Sequence, residues 1–361
     1  MRFRSELDPL RTYVPPKSWR MAAEGTDEYG YAKLTSNELA FGPLPEAATA
    51  LAEALPRANR YPDSHVSRLR QAIADANPGA QTRNVLVGNG SSEVLFNALQ
   101  LLPGGGEVVF PWPSFSLYPT MCAILGMTAH PVPLDERGGM DPGALLAAVG
   151  TGTRAVILCN PNNPSGTYLT LDDVRGLADG LPEDVLLILD EAYAEFVDDP
   201  AYHDSHTLAL ERENVLAART FSKAHGLAGL RVGYGISSDK VSDYAERVRF
   251  PVSVNLAAQV AATASMLAGD KVRERARFVI GERKRLQAAF GDANLDFIPS
   301  QGNFVMVRFG ADDFERAGVL VREGEALGYP GWSRVTVGDT WENDRAIAAL
   351  EGARPQAKPA S

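Results

Sequence analysis

The sequence predicts an α/β protein: a large domain built on a central, mostly parallel sheet, followed by a smaller α+β domain. Three observations carry this. Between residues 45 and about 250, short apolar runs bounded by Gly, Pro or Asn alternate with helix-like segments, which is the βαβ pattern. Several of those runs are apolar at every position, as strands covered on both faces must be. Near Pro251 the pattern changes to long helices and then to isolated strands, so a second layered unit is expected there.

Element by element, residues 1–44 are Pro- and Tyr-punctuated (Tyr13-Val-Pro-Pro16) and read as an N-terminal arm packing with the small domain. In the large domain, residues 45–250, helices are expected at Ala47–Leu55, Ser67–Ala76, Glu93–Leu102 and Leu171–Leu181. Strands are expected at Val85–Val87, Glu107–Phe110, Ala155–Leu158, Val185–Leu189 and Val215–Thr220. In the small domain, 251–351, Asn255–Leu267 and Asp270–Phe290 read as helices, and Gly302–Arg308 and Ser333–Val337 carry strand patterns. The Pro/Ala/Lys-rich tail, 352–361, reads as disordered.

The chain has 361 residues and a formal net charge of −10, which argues against a nucleic-acid surface, since that needs a basic face. Two cysteines, Cys122 and Cys159, make neither a disulfide framework nor a metal-ligand cluster, so two packed thiols and no metal are expected. No run approaches about 18 apolar residues, and the charged start MRFRSELDPL has no secretory core, so a cytoplasmic protein with no membrane partner is expected.

In open α/β sheets, ligands bind beyond the carboxyl ends of the strands, so the residues just after each apolar run are the informative ones. Gly90-Ser91-Ser92 joins a strand to a helix and offers free backbone N–H groups to an anion, although alone it is equally a plain helix start. Asp190 ends an otherwise apolar strand, where a carboxylate needs a cationic partner; a protonated pyridine nitrogen is one. Tyr193 follows close enough to donate to a ring oxygen of the same group. A lone lysine after a strand is commonly a solvated amine. Lys223 differs because Ser222 and Arg231 beside it fit a phosphate clamp, and lysine is the residue that carries pyridoxal 5′-phosphate as a Schiff base.

The runs CNPNNPSGT, LDEAYAEF and RTFSKAHGLAGLRVGYG resemble the histidinol-phosphate aminotransferase family of fold-type I pyridoxal-phosphate transferases, with its closely related aromatic (phenylalanine) branch. Further matching runs span nearly the whole chain, from PLRTYVPPK, NRYPDS and GNGSSEVL to SQGNFVMVR and RVTVGDTWEND. The resemblance implies that Lys223 attaches the cofactor and shuttles a proton. It implies that Asp190 pairs with the ring nitrogen, Asn163 and Tyr193 hold the ring hydroxyl, and Phe115 stacks on the ring. Gly90, Ser91, Ser92, Ser222 and Arg231 would hold the cofactor phosphate. Tyr61 would reach that phosphate from the other subunit of a homodimer with shared sites. Arg334 would grip the α-carboxylate, Asn37 would lie on the substrate side, and Tyr13 and Arg322 would help hold a substrate phosphate.

The implied reaction moves an amino group from L-histidinol phosphate to 2-oxoglutarate in histidine biosynthesis. The alternative donor is an aromatic amino acid, because Asn37-Glu-Leu-Ala40 and the WPSFSLYP run match that branch as well. Decarboxylation of a phosphorylated amino acid is a remoter alternative.

Overall fold

The computed structural model describes residues 4–8, 10, 12, 15–17 and 30–351. Tyr13, part of the expected arm and the tail 352–361 lie outside the described residues. In chain order the strands are β1 (Ala32–Leu34), β2 (Val85–Gly88), β3 (Glu107–Trp112), β4 (Thr128–Pro133), β5 (Thr153–Cys159), β6 (Leu186–Asp190), β7 (Val215–Thr220), β8 (Gly233–Ser237), β9 (Phe297–Ile298), β10 (Phe304–Val307), β11 (Val319–Glu323) and β12 (Ser333–Thr336).

Seven of them form one sheet in the order β2-β8-β7-β6-β5-β3-β4. Its pairs are parallel except those that β8 makes with β2 and β7. The pleat of β6 explains its wholly apolar run. Leu186 and Ile188 enter the core on one face, while Leu187 and Leu189 enter the core on the other, each core being capped by helices. By the same alternation Asp190 falls on the Ile188 face. Its register partner Cys159 lies on that face too, with Ala155 and Ile157.

Two strands of this sheet escaped the apolar-run reading, each for a physical reason. β4 carries Pro131 and Pro133, which lack the N–H of a ladder, and it survives because it is an edge strand. β8 reads Gly-Tyr-Gly-Ile-Ser, poor strand composition. Gly233 is needed there, because a Cβ on it would lie 2.2 Å from the backbone nitrogen of Ser91. The strand therefore lets the start of helix Ser91–Gln100 lie directly against the sheet.

The other sheet has the order β1-β11-β12-β10-β9, with β1 parallel to β11 and the remaining pairs antiparallel. Three residues from near the N-terminus thus pair with a strand almost three hundred positions later, a contact no local pattern can announce. The helix Leu256–Leu267, capped by Asn255 accepting from Ala258 N at 2.8 Å, packs on helices Pro45–Ala54 and Ser67–Ala76. It therefore sits with the large sheet's helices, although it follows Pro251. The next helix, Gly269–Asp292, reaches the five-stranded sheet. Its Arg283 is 1 % exposed and donates to the carbonyls of Phe196 (2.6 Å) and Gly302 (3.1 Å), pinning the chain after β6 to the chain before β10.

Candidate active site

The carboxyl ends of β2, β5, β6 and β7 bring the expected clusters to one rim. After β2, Gly90 has φ +82° and no side chain caps the helix that begins at Ser91. The N–H groups of Ser91 and Ser92, in the first turn, have no carbonyl partner within the helix and lie at the positive end of its dipole. A Cβ on Gly90 would lie 2.7 Å from Nη2 of Arg231, so a side chain here would push the guanidinium back from this loop. Arg231 itself takes a left-handed conformation (φ +55°), and its Nη1 donates to Ser222 Oγ (3.2 Å) and to the Ala228 carbonyl (2.9 Å). Ser222 Oγ also accepts from Thr220 Oγ1 at 3.0 Å. Two backbone N–H groups, a hydroxyl and a fork of guanidinium donors in one cup suit a phosphate.

Beyond β5, Ser114 Oγ donates to Asn162 Oδ1 (2.7 Å), and Asn162 in turn donates to Ser165 Oγ (2.9 Å). That bracing turns the next residue, Asn163, toward the small sheet, where its Oδ1 accepts from Arg334 Nη1 at 2.6 Å. Arg334 comes from β12, is 7 % exposed, and also donates to the Thr35 carbonyl (2.8 Å). Asn37 adopts φ +53°, a left-handed turn that asparagine tolerates. Its Nδ2 donates to the Tyr193 hydroxyl at 3.2 Å, and its Oδ1 accepts from Thr336 Oγ1 at 3.1 Å. Tyr193 packs edge-on against Phe304 with ring centroids 5.0 Å apart.

At the centre lie Asp190 and Lys223. Asp190 is 3 % exposed, and its Oδ2 accepts from Tyr118 Oη at 2.9 Å. Its Oδ1 is buried and meets no hydrogen-bond donor among the described residues. Burial pushes this carboxyl up to about 6, with Tyr118 pulling the other way. Lys223 is half-buried, its Nζ donating to the Ser36 carbonyl at 3.1 Å and lying 5.7 Å from the centre of the Tyr193 ring. Burial, then the nearby charges of Arg334 and Arg231, bring its amine down to about 7, while Glu38 acts in the opposite direction. A lysine that is substantially neutral near pH 7 is a nucleophile and a proton carrier.

An unanswered buried carboxylate oxygen, a phosphate cup and a neutralised lysine together match the demands of pyridoxal phosphate: ring nitrogen, phosphate and aldehyde. Phe115, half-buried, stands edge-on to Tyr118 at 5.6 Å. Tyr61 is 89 % exposed on its own chain. Arg322 lies on β11 directly opposite Arg334 in the register of the small sheet. Sequence reasoning passed over Tyr118, Thr35, Ser36 and Glu38. For Tyr118 a signal existed, since it stands three positions after Phe115, one helical turn on.

The sequence model for the family described as Aminotransferase class I and II matches residues 30–350. A histidinol-phosphate aminotransferase of Rubrobacter xylanophilus is 66% identical over 350 residues, covering 97% of this chain and 100% of that one. An aromatic amino acid aminotransferase of Cutibacterium acnes is 41% identical over 326 residues, covering 89% and 92%. Among solved structures, the histidinol-phosphate aminotransferase of Sinorhizobium meliloti in complex with pyridoxal-5′-phosphate superposes with a TM-score of 0.86 at 29% identity, covering 97% of both chains. The chain belongs to the aminotransferase class I and II family and has the fold-type I architecture expected of it. Enzymes of that family are pyridoxal-phosphate-dependent transaminases, and this chain is one of them.

Proposed function

We propose that the enzyme transfers the amino group of L-histidinol phosphate to 2-oxoglutarate, giving imidazole acetol phosphate and L-glutamate, as a cytoplasmic step of histidine biosynthesis. The observation that carries the donor assignment is the register pair Arg322↔Arg334. Directly opposed residues of an antiparallel pair share a face, so Arg322 adds a second cation beside the arginine read as the carboxylate grip. A substrate bearing a phosphate at one end answers Arg322, while Arg334 serves the carboxylate of 2-oxoglutarate. The extensive identity to the Rubrobacter xylanophilus enzyme supports the same reading. An aromatic donor is the second reading, supported by the Cutibacterium acnes relative.

In this reading Asp190 accepts from the ring nitrogen through Oδ1, Asn163 and Tyr193 hold the ring hydroxyl, and Phe115 covers the ring. The cup of Gly90, Ser91, Ser92, Ser222 and Arg231 holds the cofactor phosphate. Bound there, pyridoxal phosphate supplies an electron sink that acidifies the donor's α-proton. With that group bound, the Lys223 Nζ would hold and move the donor's α-proton. Asn37 orients Tyr193 from the substrate side, and Tyr13 joins Arg322 at the donor phosphate. The exposed Tyr61 serves the site of a second subunit in a homodimer.

Comparison of kcat/KM for histidinol phosphate and phenylalanine tests the donor. Histidinol phosphate is expected to be preferred. Arg322→Ala should lower its kcat/KM by about 10- to 100-fold, the range of a charge-assisted hydrogen bond. Phenylalanine should then change less than about threefold, the reach of a remote surface effect. An equal loss for both donors overturns the phosphate role. Carbon dioxide release in place of keto product would instead mean decarboxylation.

A further inference from the structure

We propose that Tyr118 is a positioning residue for the cofactor: its phenol fixes Asp190 with one carboxylate oxygen turned toward the ring nitrogen, and so governs how firmly that nitrogen keeps its proton. The inference rests on the reading that Asp190 meets the ring nitrogen.

The geometry carries it. Tyr118 is fully buried in the first turn of helix Leu117–Leu125, and its ring is held by Phe110 (centroids 5.8 Å) and Phe115 (5.6 Å). Its hydroxyl donates to Asp190 Oδ2 at 2.9 Å, while Oδ1 has no donor among the described residues. The two oxygens of one carboxylate are thus divided, one answered by the protein and the other left for a ligand. A carboxylate on a single side-chain bond can otherwise swing, and a swing that buried both oxygens against apolar neighbours would leave the ring nitrogen without its acceptor.

The other groups facing Asp190 cannot replace the phenol. The Cys159 thiol donates to the Pro161 carbonyl at 3.3 Å and so has its hydrogen committed. Glu191 is an acid that opposes ionisation of Asp190, and the Lys223 amine is turned to Ser36.

A hydrogen bond to the ionised carboxylate keeps its proton affinity low. With the bond present, the shared proton stays on the ring nitrogen, which is the form that withdraws electrons. Without it, Asp190 becomes the better base and draws the proton to itself. Phe115 touches the cofactor face in the reading above, whereas Tyr118 acts through Asp190 and meets no reacting atom.

The test uses holoenzyme reconstituted with pyridoxal phosphate labelled with ¹⁵N in the ring. Tyr118→Phe keeps the aromatic packing and removes the donor. It should move the ring ¹⁵N resonance toward that of the unprotonated pyridine and lower kcat about tenfold, the effect of one hydrogen bond to a charged group, with KM nearly unchanged. Site-specific 3,5-difluorotyrosine at position 118, a more acidic donor of similar size, should move the resonance the opposite way, and it keeps the proposal testable if the phenylalanine variant folds poorly. If neither replacement moves the resonance while Asp190→Asn does, the role of Tyr118 is overturned and that of Asp190 stands. If Asp190→Asn leaves the resonance in place, the assignment of Asp190 falls, and this inference with it.

Discussion

The two halves of the site are built in opposite ways. The cofactor half is assembled from the carboxyl ends of four strands of one sheet, β2, β5, β6 and β7, each followed within a few residues by the group it presents. The proposed substrate half is assembled from segments far apart in sequence: Asn37 after β1, Arg322 on β11 and Arg334 on β12. The first half is held by the large sheet, whose central strands are buried on both faces. The second depends on three-residue β1 pairing with β11 and on long-range hydrogen bonds such as Arg334 to Asn163 and Asn303 to the Asn37 carbonyl. A rigid half that fixes the chemistry and a composite half that chooses the donor can vary independently. The presence of both histidinol-phosphate and aromatic amino acid aminotransferases among the relatives fits that division.

Variants in the cofactor half should therefore affect all donors alike, and variants in the substrate half should discriminate among substrates. The largest effect is expected for Lys223→Ala. With neither an attachment amine nor a proton carrier, kcat should fall at least about 10³-fold for every donor, the scale of general acid–base catalysis. The absorbance of covalently bound cofactor should vanish with it. Full activity, or the unchanged spectrum, would remove Lys223 from the centre of the site. Arg334→Lys should come next. It keeps the charge but loses the fork that serves Asn163 and the Thr35 carbonyl, so kcat/KM for 2-oxoglutarate should drop about 100-fold. Single-turnover reaction with the donor should change less, which is the split that a composite substrate half predicts. Gly90→Ala is the milder break in the cofactor half. The strained φ and the clash with Arg231 should weaken pyridoxal phosphate binding about tenfold, equally for all donors.

The same contrast explains what could be seen in the sequence. Strands β5, β6 and β7 were legible because burial on both faces leaves an unbroken apolar run, and their polar termini then stood out as Asn160–Asn163, Asp190 and Ser222-Lys223. Helix Ser67–Ala76 was legible to its ends because its apolar face repeats at helical spacing. β8 was not, because its glycines answer to the backbone of Ser91 rather than to strand propensity. β1 was not, because three residues have no period to read. For the site, Asp190, Lys223, Ser222 and Arg231 followed from chemistry after a strand. Arg334, Asn37 and the particular role of Asn163 needed the family resemblance, since nothing in their surroundings tells that they meet. Tyr118 fell between the two, a buried aromatic in an apolar helix whose hydroxyl matters only because the pleat of β6 turns Asp190 toward it.

A thermal measurement separates what Asp190 does for the fold from what it does for the ligand. Its carboxyl titrates at about 6 in the folded apoprotein because burial disfavours the charge. Unfolded, it titrates near the ordinary aspartate value of about 4. The folded apoprotein therefore binds the extra proton between those values, and the stability this group contributes is present in full below pH about 4 and lost as pH rises through about 6. The loss amounts to about 3 kcal/mol at neutral pH, taking 1.36 kcal/mol for each unit between the two values. Asp190→Asn abolishes that titration. The apoprotein variant should melt a few degrees higher than wild type at pH 7 and no higher at pH 4, as followed by calorimetry. Pyridoxal phosphate should reverse the order: wild type gains a pyridinium partner for its buried charge, and the asparagine variant does not, so the rise in melting temperature on adding the cofactor should be smaller in the variant. Equal melting temperatures for the two apoproteins at both pH values would mean that the carboxylate is already answered without the cofactor, and the cofactor half would then be less dependent on its ligand than its geometry implies.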